Sequence, residues 1–225
     1  MDDQFSRRVF DLYLKDLDYN KRFFTEEDLR RLRRYETLID DQLKAGRVDF
    51  YQLATALFQE RARQVRNFTL KIMKTPFDFS IDERLEIDPK KRSYPVGDAD
   101  LYEQWRKVLK YQTLQVYLSD EEIRKKAGEE TTAGKKSQGE AVRKAQDKVG
   151  KSLLRSLDRI LQEQSDREKS FSRFIKAIAG SFDPHTAYLS PLEMENFQID
   201  MSGRLEGIGA LLEDDGESIR VAEIF

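Results

Sequence analysis

No cysteine occurs among the 225 residues, which excludes disulfides and thiolate metal sites and leaves the redox compartment open. Histidine occurs once, at His185, so an imidazole metal site or relay has one candidate and no second ring to join it. No apolar run approaches the ~18 residues that a membrane span requires. The opening Met1-Asp2-Asp3-Gln4 leads into an amphipathic pattern, not the basic-then-apolar order of a secretory signal. Neither charge sign dominates: 40 Lys and Arg face 42 Asp and Glu, a balance that argues against nucleic acid as a partner. The Arg30, Arg31, Arg33, Arg34 run is surrounded by Glu26, Glu27, Asp28, Glu36, Asp40 and Asp41 and reads as a solvated helix face. The chain also has no Gly-x-Ser-x-Gly elbow, no Ser-x-x-Lys and no phosphate loop.

The chain is rich in helical periodicity. Phe5, Val9 and Leu12, joined by Phe10 and Leu14, predict a helix over residues 3–15, ended by Asp18-Tyr19-Asn20. Thr25-Glu26-Glu27-Asp28 has the form of a capping box; the helix it starts carries Leu29, Leu32, Tyr35, Ile39 and Leu43 and should stop at Gly46. A third helix, residues 49–74, repeats Phe50, Leu53, Ala54, Leu57, Phe58, Val65, Phe68 and Ile72. Pro76 ends it, and the stretch through Pro89 to Pro95 reads as an irregular connection packed over the helices.

Residues 99–118 form the next helix, with Leu101, Trp105, Val108, Leu109 and Val116, and Ser119-Asp120-Glu121-Glu122 signals the start of another. From Lys125 to Lys148 only Val142 is an aliphatic residue larger than alanine, so residues 127–148 are expected to be a mobile charged insert or an exposed, fraying helix. The pattern resumes at Leu153, Leu154, Leu157, Ile160 and Leu161 and continues through Phe171, Phe174, Ile175, Ile178 and Phe182, with Ser165 or Asp166 as a cap. Ser190-Pro191-Leu192-Glu193 caps a short helix with proline at its first position. Residues 208–213 and 218–224 then read as two strands joined at Asp214-Asp215-Gly216-Glu217.

Chemistry is harder to find. His185, within Asp183-Pro184-His185-Thr186, reads as part of a turn at a helix end, and the serines and lysines lie on polar faces where nothing would desolvate a lysine base. Gly207-Ile208-Gly209 is more specific: two glycines beside one aliphatic residue leave backbone amides free to meet a carboxylate. The adjoining strand could pair with an extended peptide, offering Ile208, Ala210 and Leu212 to alternate side chains. The plainer alternative is a glycine bend that fits two strands together.

Asp183-Pro184-His185-Thr186-Ala187-Tyr188-Leu189-Ser190-Pro191, then Glu195-Asn196-Phe197 and Leu205-Glu206-Gly207-Ile208-Gly209-Ala210, strongly resemble the tail-specific (carboxy-terminal processing) proteases of bacteria. Phe10-Asp11-Leu12-Tyr13-Leu14, Leu17-Asp18-Tyr19-Asn20, Phe23-Phe24, Met73, Pro76, Phe77-Asp78-Phe79 and Trp105 extend the resemblance to the long periplasmic branch of that family, while the segment around 128–150 departs from it.

The resemblance implies a mainly α chain: a multi-helix N-terminal domain over residues 1–200, then the first strands of a truncated PDZ domain over 201–225, with the protease core absent. It implies a serine endopeptidase parent whose Ser/Lys dyad lies outside this chain, so no catalytic residue is assigned here and the chain alone should be inactive. Gly207, Ile208, Gly209, Ala210, Leu211 and Leu212 would belong to the peptide-binding groove. The implied partners are protein substrates with apolar C-terminal tails and protein adaptors on the helical domain; no cofactor, metal, nucleic acid or membrane span is implied. The implied location is the periplasm, with the signal peptide absent from this sequence. The rival reading is a non-catalytic helical scaffold or adaptor carrying a PDZ module.

Overall fold

The computed structural model describes residues 1–126, 135–183, 185–202, 210–214 and 219–224. Its elements are α1 (Asp3–Asp18), α2 (Glu26–Leu32), a 3-10 turn (Arg33–Tyr35), α3 (Ile39–Lys44), α4 (Asp49–Ile72), α5 (Asp98–Lys126), α6 (Lys135–Ser165), α7 (Arg167–Phe182), α8 (Pro191–Ser202), β1 (Ala210–Asp214) and β2 (Ile219–Ile224). The chain is mainly α, and it forms two compact units, Met1–Thr186 and Ala187–Phe225.

Helix α1 begins where the Asp2 carboxylate accepts the Phe5 amide at 2.9 Å, and it buries Phe5, Val9, Phe10, Tyr13, Leu14 and Leu17 along one side. It lies against α7 and α3. The shared core gathers those side chains with Phe24, Leu29, Leu32, Ile39, Phe50, Leu57, Phe58 and Phe174. Tyr13 sits at the centre: its ring meets Phe50 and Phe174 edge-on at 5.9 and 5.3 Å, and its hydroxyl pairs with the Thr55 hydroxyl at 2.9 Å. That bond satisfies a phenol that would otherwise be buried without a partner. A second core joins α4, α5 and α6 through Val65, Ile72, Leu101, Trp105, Val108, Leu109, Val149 and Leu157.

The expected capping signals act at Thr25, Gly46 and Asp166. Thr25 and Asp28 exchange bonds, Asp28 N–H to the threonine hydroxyl at 3.3 Å and Thr25 N–H to the carboxylate at 2.9 Å. Gly46 adopts φ 68°, the left-handed conformation that lets Arg47 N–H return to the Gln42 carbonyl at 2.7 Å. Asp166 caps α7, accepting from the amides of Glu168 and Lys169 at 3.1 and 3.2 Å.

Two expectations are corrected. The helix starting at Thr25 does not continue to Gly46: it tightens at Arg33–Tyr35 and restarts at Ile39. The restart is fixed from α1, where the buried Ser6 hydroxyl accepts the Asp40 amide at 2.9 Å and donates to the Asp40 carboxylate at 2.8 Å. Ser119 starts no new helix, because α5 runs through it unbroken to Lys126, and a capping box acts only when its first residue leaves helical geometry.

The expected charged insert is helical from Lys135 onward, whereas residues 127–134 lie outside the described residues. Ala145, Gln146 and Val149 are buried, and Val149 joins Ile72 of α4 in the second core. The Gln146 amide donates to the Thr75 carbonyl at 2.9 Å, and Arg143 donates to the Met73 carbonyl at 3.1 Å. These bonds occupy carbonyls that a helix C-terminus leaves open. Gly150 permits the close approach, since a Cβ there would lie 3.0 Å from both Cγ and Sδ of Met73.

Candidate functional site

In the second unit, α8 opens with the expected box: Ser190 N–H donates to the Glu193 carboxylate at 2.9 Å, and Glu193 N–H to the Ser190 hydroxyl at 3.4 Å. Strands β1 and β2 pair antiparallel from Ala210↔Ile224 to Asp214↔Ile219, with an irregularity between Leu211 and Leu212. Such an extra residue twists a strand and re-aims the side chains beyond it. Of the predicted peptide-binding residues, Ala210, Leu211 and Leu212 lie on β1, whereas Gly207, Ile208 and Gly209 lie outside the described residues. Within the described residues the sheet holds two strands only, so each keeps one edge without a strand beside it. Val221 and Ile224 on β2 are exposed.

In the first unit, the chain reversal after α1 is organised by Asp18. Its buried carboxylate accepts the amides of Arg22, Phe23 and Phe24 at 2.7, 2.9 and 2.9 Å. Burial pushes its pKa up, while those same amides pull in the opposite direction. Lys21, at φ 50°, makes the tight turn and donates its ammonium to the Arg92 carbonyl at 2.7 Å. The Arg92 guanidinium reaches back to the carbonyls of Asn20, at 2.6 Å, and Glu86, and the Trp105 indole donates to the Arg22 carbonyl at 2.7 Å. A cavity of about 420 Å³ lies beside this joint, with Phe10, Leu14, Leu29 and Tyr94 in its lining. Burial raises the Tyr94 phenol to about 12, so it stays protonated at neutral pH.

Further along, Arg61 of α4 ties three segments together. It holds both oxygens of the buried Asp28 carboxylate, at 2.7 and 3.1 Å, and Asp98 at the start of α5 at 2.6 Å. Glu83, in the connection before α5, receives Arg106 and, at 2.6 Å, Lys110. Those two donors hold its carboxyl at about 2.

None of this is catalytic geometry. His185 is exposed, and its backbone amide donates to the Asp183 carboxylate at 2.9 Å, as expected of a turn. Among the described residues no cluster of His, Asp or Glu could hold a metal ion. The one lysine buried among them, Lys110, is tied into structure by Glu83 at 2.6 Å and by the Ile81 carbonyl at 3.0 Å. No helix of the described residues is long and apolar enough to cross a membrane. Sequence reasoning named Asp18 only as part of the break after the first helix and missed Arg61, Glu83 and Arg92, because isolated charged residues carry no periodic signal. The alternation Ile81-x-Glu83-x-Leu85-x-Ile87 was the one pattern that could have marked the connection as strand-like.

Comparison with known proteins gives these joints a context. The family model described as the tail specific protease N-terminal domain matches residues 1–192. A "Tail-specific protease" of Haemophilus influenzae is similar over all 225 residues at 28% identity. The chain spans 29% of the length of that relative.

Proposed function

Because the chain belongs to the tail-specific protease N-terminal domain family, we propose that it is the helical portion, with the opening strands of a PDZ domain, of a periplasmic serine endopeptidase. The proposed parent captures apolar C-terminal tails of protein substrates and cleaves them with a Ser/Lys dyad outside these residues. The observation that carries the reading is the family match across the helical unit. The hairpin supports it, since β1 offers a sheet edge of the kind that receives a peptide by strand addition. The helical unit then acts as scaffold: Arg61, Arg92 and Gln146 bind distant backbone and side-chain groups, which suits a part that must hold its shape while substrates move past it.

The test compares the full-length parent with this chain on a denatured protein ending in an apolar tail and on the same protein ending in charged residues. The parent should cleave the apolar-tailed substrate at least about tenfold faster, by analogy with the cost of placing charge in an apolar pocket, and this chain should leave both intact. Cleavage by this chain would contradict the placement of the dyad. A parent that binds tails without cutting them would establish the adaptor reading instead.

A further inference from the structure

The cavity of about 420 Å³ beside the Asp18 joint falls within the ~300–1,000 Å³ common for ligand sites. Its apolar lining comes from three segments: Phe10 and Leu14 of α1, Leu29 of α2, and Tyr94 of the connection before α5. Charged residues of both signs also line it, Asp11, Asp18 and Glu36 with Lys15, Lys21, Arg33 and Lys90. Their sum is close to neutral, so the places where the charges are held decide what the cavity accepts.

Helix α1 sets those places. At ~1.5 Å of rise per residue, Asp11 stands about 12 Å along the axis from Tyr19. At the Asp11 end, Glu36 is paired with Arg7, one turn further back on α1, at 3.4 Å. Asp11 itself has no hydrogen bond or ion pair among the described residues. Loss of water at the cavity wall, and then the Glu36 charge, raise its carboxyl.

The cations gather at the other end. Lys15 follows Asp11 by four residues, the spacing of a helical ion pair. Its ammonium instead lies over the ring of Tyr19, one turn onward, at 5.8 Å from the ring centre. Lys21 lies over the Tyr94 ring at 5.5 Å, the Arg33 charge acts on the same phenol, and Lys90 precedes Arg92 by two residues. None of these four has an ion pair among the described residues. Asp18, the carboxylate nearest them on α1, is buried, its oxygens taken by the amides of Arg22, Phe23 and Phe24. The cavity is thus bipolar, with an unpaired acid at one end, unpaired cations at the other, and Leu14 between them on α1.

This sorting selects among ligands. A simple anion leaves Asp11 uncompensated, a simple cation meets four like charges, and a wholly apolar molecule serves neither end. A molecule with an ammonium at one end, a carboxylate at the other and apolar groups between them satisfies every part. Extended peptide covers ~3.3–3.6 Å per residue, so three residues reach about 10 Å.

We propose that this cavity binds a free peptide of two or three residues with apolar side chains, its terminal ammonium at Asp11 and its terminal carboxylate among Lys15, Lys21, Arg33 and Lys90. The site lies within the helical unit, does not involve β1, and requires no proteolytic activity, so its test stands apart from that of the proposed function.

The probe is Ala-Phe-Ala with both ends free, titrated into the 225-residue chain by isothermal titration calorimetry. Saturable binding at one site per chain is expected. Acetylating the amino end, or amidating the carboxyl end, should each weaken it about tenfold. Triglycine, which keeps both charges and loses the apolar groups, should also bind about tenfold more weakly. Asp11→Asn should weaken the free peptide about tenfold and leave the acetylated one unchanged. Lys15→Gln combined with Lys90→Gln should act in the same way on the free and amidated pair. These side chains are exposed, and circular dichroism and Tm check that the fold is retained. A folding defect lowers the affinity for every peptide alike, so lost discrimination between free and blocked ends is the readout that a merely structural role does not move. The proposal is overturned by absence of saturable binding, by equal affinity for free and doubly blocked peptides, or by an Asp11→Asn chain that still discriminates against the acetylated peptide. Undiminished binding of the acetylated peptide to the unaltered chain would overturn it in favour of a site for anions alone.

Discussion

The helical unit and the unit after it keep their order in different places. In the first, order is long-range: Tyr13, Phe50 and Phe174 come from three helices, and Arg61, Arg92 and Gln146 bind groups far from them in sequence. In the second, the order described is local. Helix α8 has no buried residue, and its stability shows in the Ser190–Glu193 box, while β1 and β2 rest on their mutual ladder. A lone hairpin and a short helix are each marginal in water, so local bonds of this kind define a shape without securing it. The contrast is between bonds that join distant parts of the chain in the first unit and bonds between near neighbours in the second.

Substitutions in each unit put this contrast to the test. The largest effect is expected for Phe174→Ala, which removes the ring shared by Tyr13, Phe50 and Tyr51 and should cost about 4 kcal/mol by denaturant unfolding. Arg61→Ala leaves the buried Asp28 carboxylate without its cation and should cost about 3 kcal/mol in the same assay. Gln146→Leu keeps volume and removes the bonds to the carbonyls after α4. It should lower stability by about 1–2 kcal/mol and speed amide exchange at residues 73–77.

Glu83→Gln tests electrostatics. With a folded pKa of about 2 against an ordinary 4.5, this carboxylate stabilises the fold above the unfolded value, and the contribution is lost as pH falls through that window. The variant should therefore flatten the pH dependence of Tm between about 4.5 and 2. Smallest of all, Val221→Ser on β2 should change the main unfolding transition by less than about 0.5 kcal/mol, because that side chain is already 57% exposed. A large effect there would show that the second unit contributes to the stability of the first.

The helices were legible where apolar spacing was dense. The spans of α1 and α4 and the caps at Thr25, Gly46, Asp166 and Ser190 follow from local rules, because each depends on residues within about one turn of its neighbours. The reading failed where polar residues carry the packing. Gln146 cannot register as core in a hydrophobic pattern, yet it is fully buried, where the pattern offered a mobile insert or an exposed, fraying helix. Ser119 failed in the opposite direction, since a valid start signal was overridden by a helix already in progress. Ala210, Leu211 and Leu212 lie on a strand as expected, whereas the fastening of Glu83 and of the Glu86 carbonyl by Arg106, Lys110 and Arg92 was invisible without coordinates.

Short spacings along the chain were enough to establish its helical character, the caps, the hairpin and the family resemblance of residues 183–210. Which charged residues serve as joints was settled by folding alone. Arg61, Glu83 and Arg92 look like any others among the many acids and bases of this chain. Each acquires its role from a partner brought to it in three dimensions, at distances of 2.6–3.1 Å in most of the bonds they form. The physical reason is that a periodic apolar pattern reports one face of one element, whereas a buried ion pair or a capped carbonyl depends on two elements meeting.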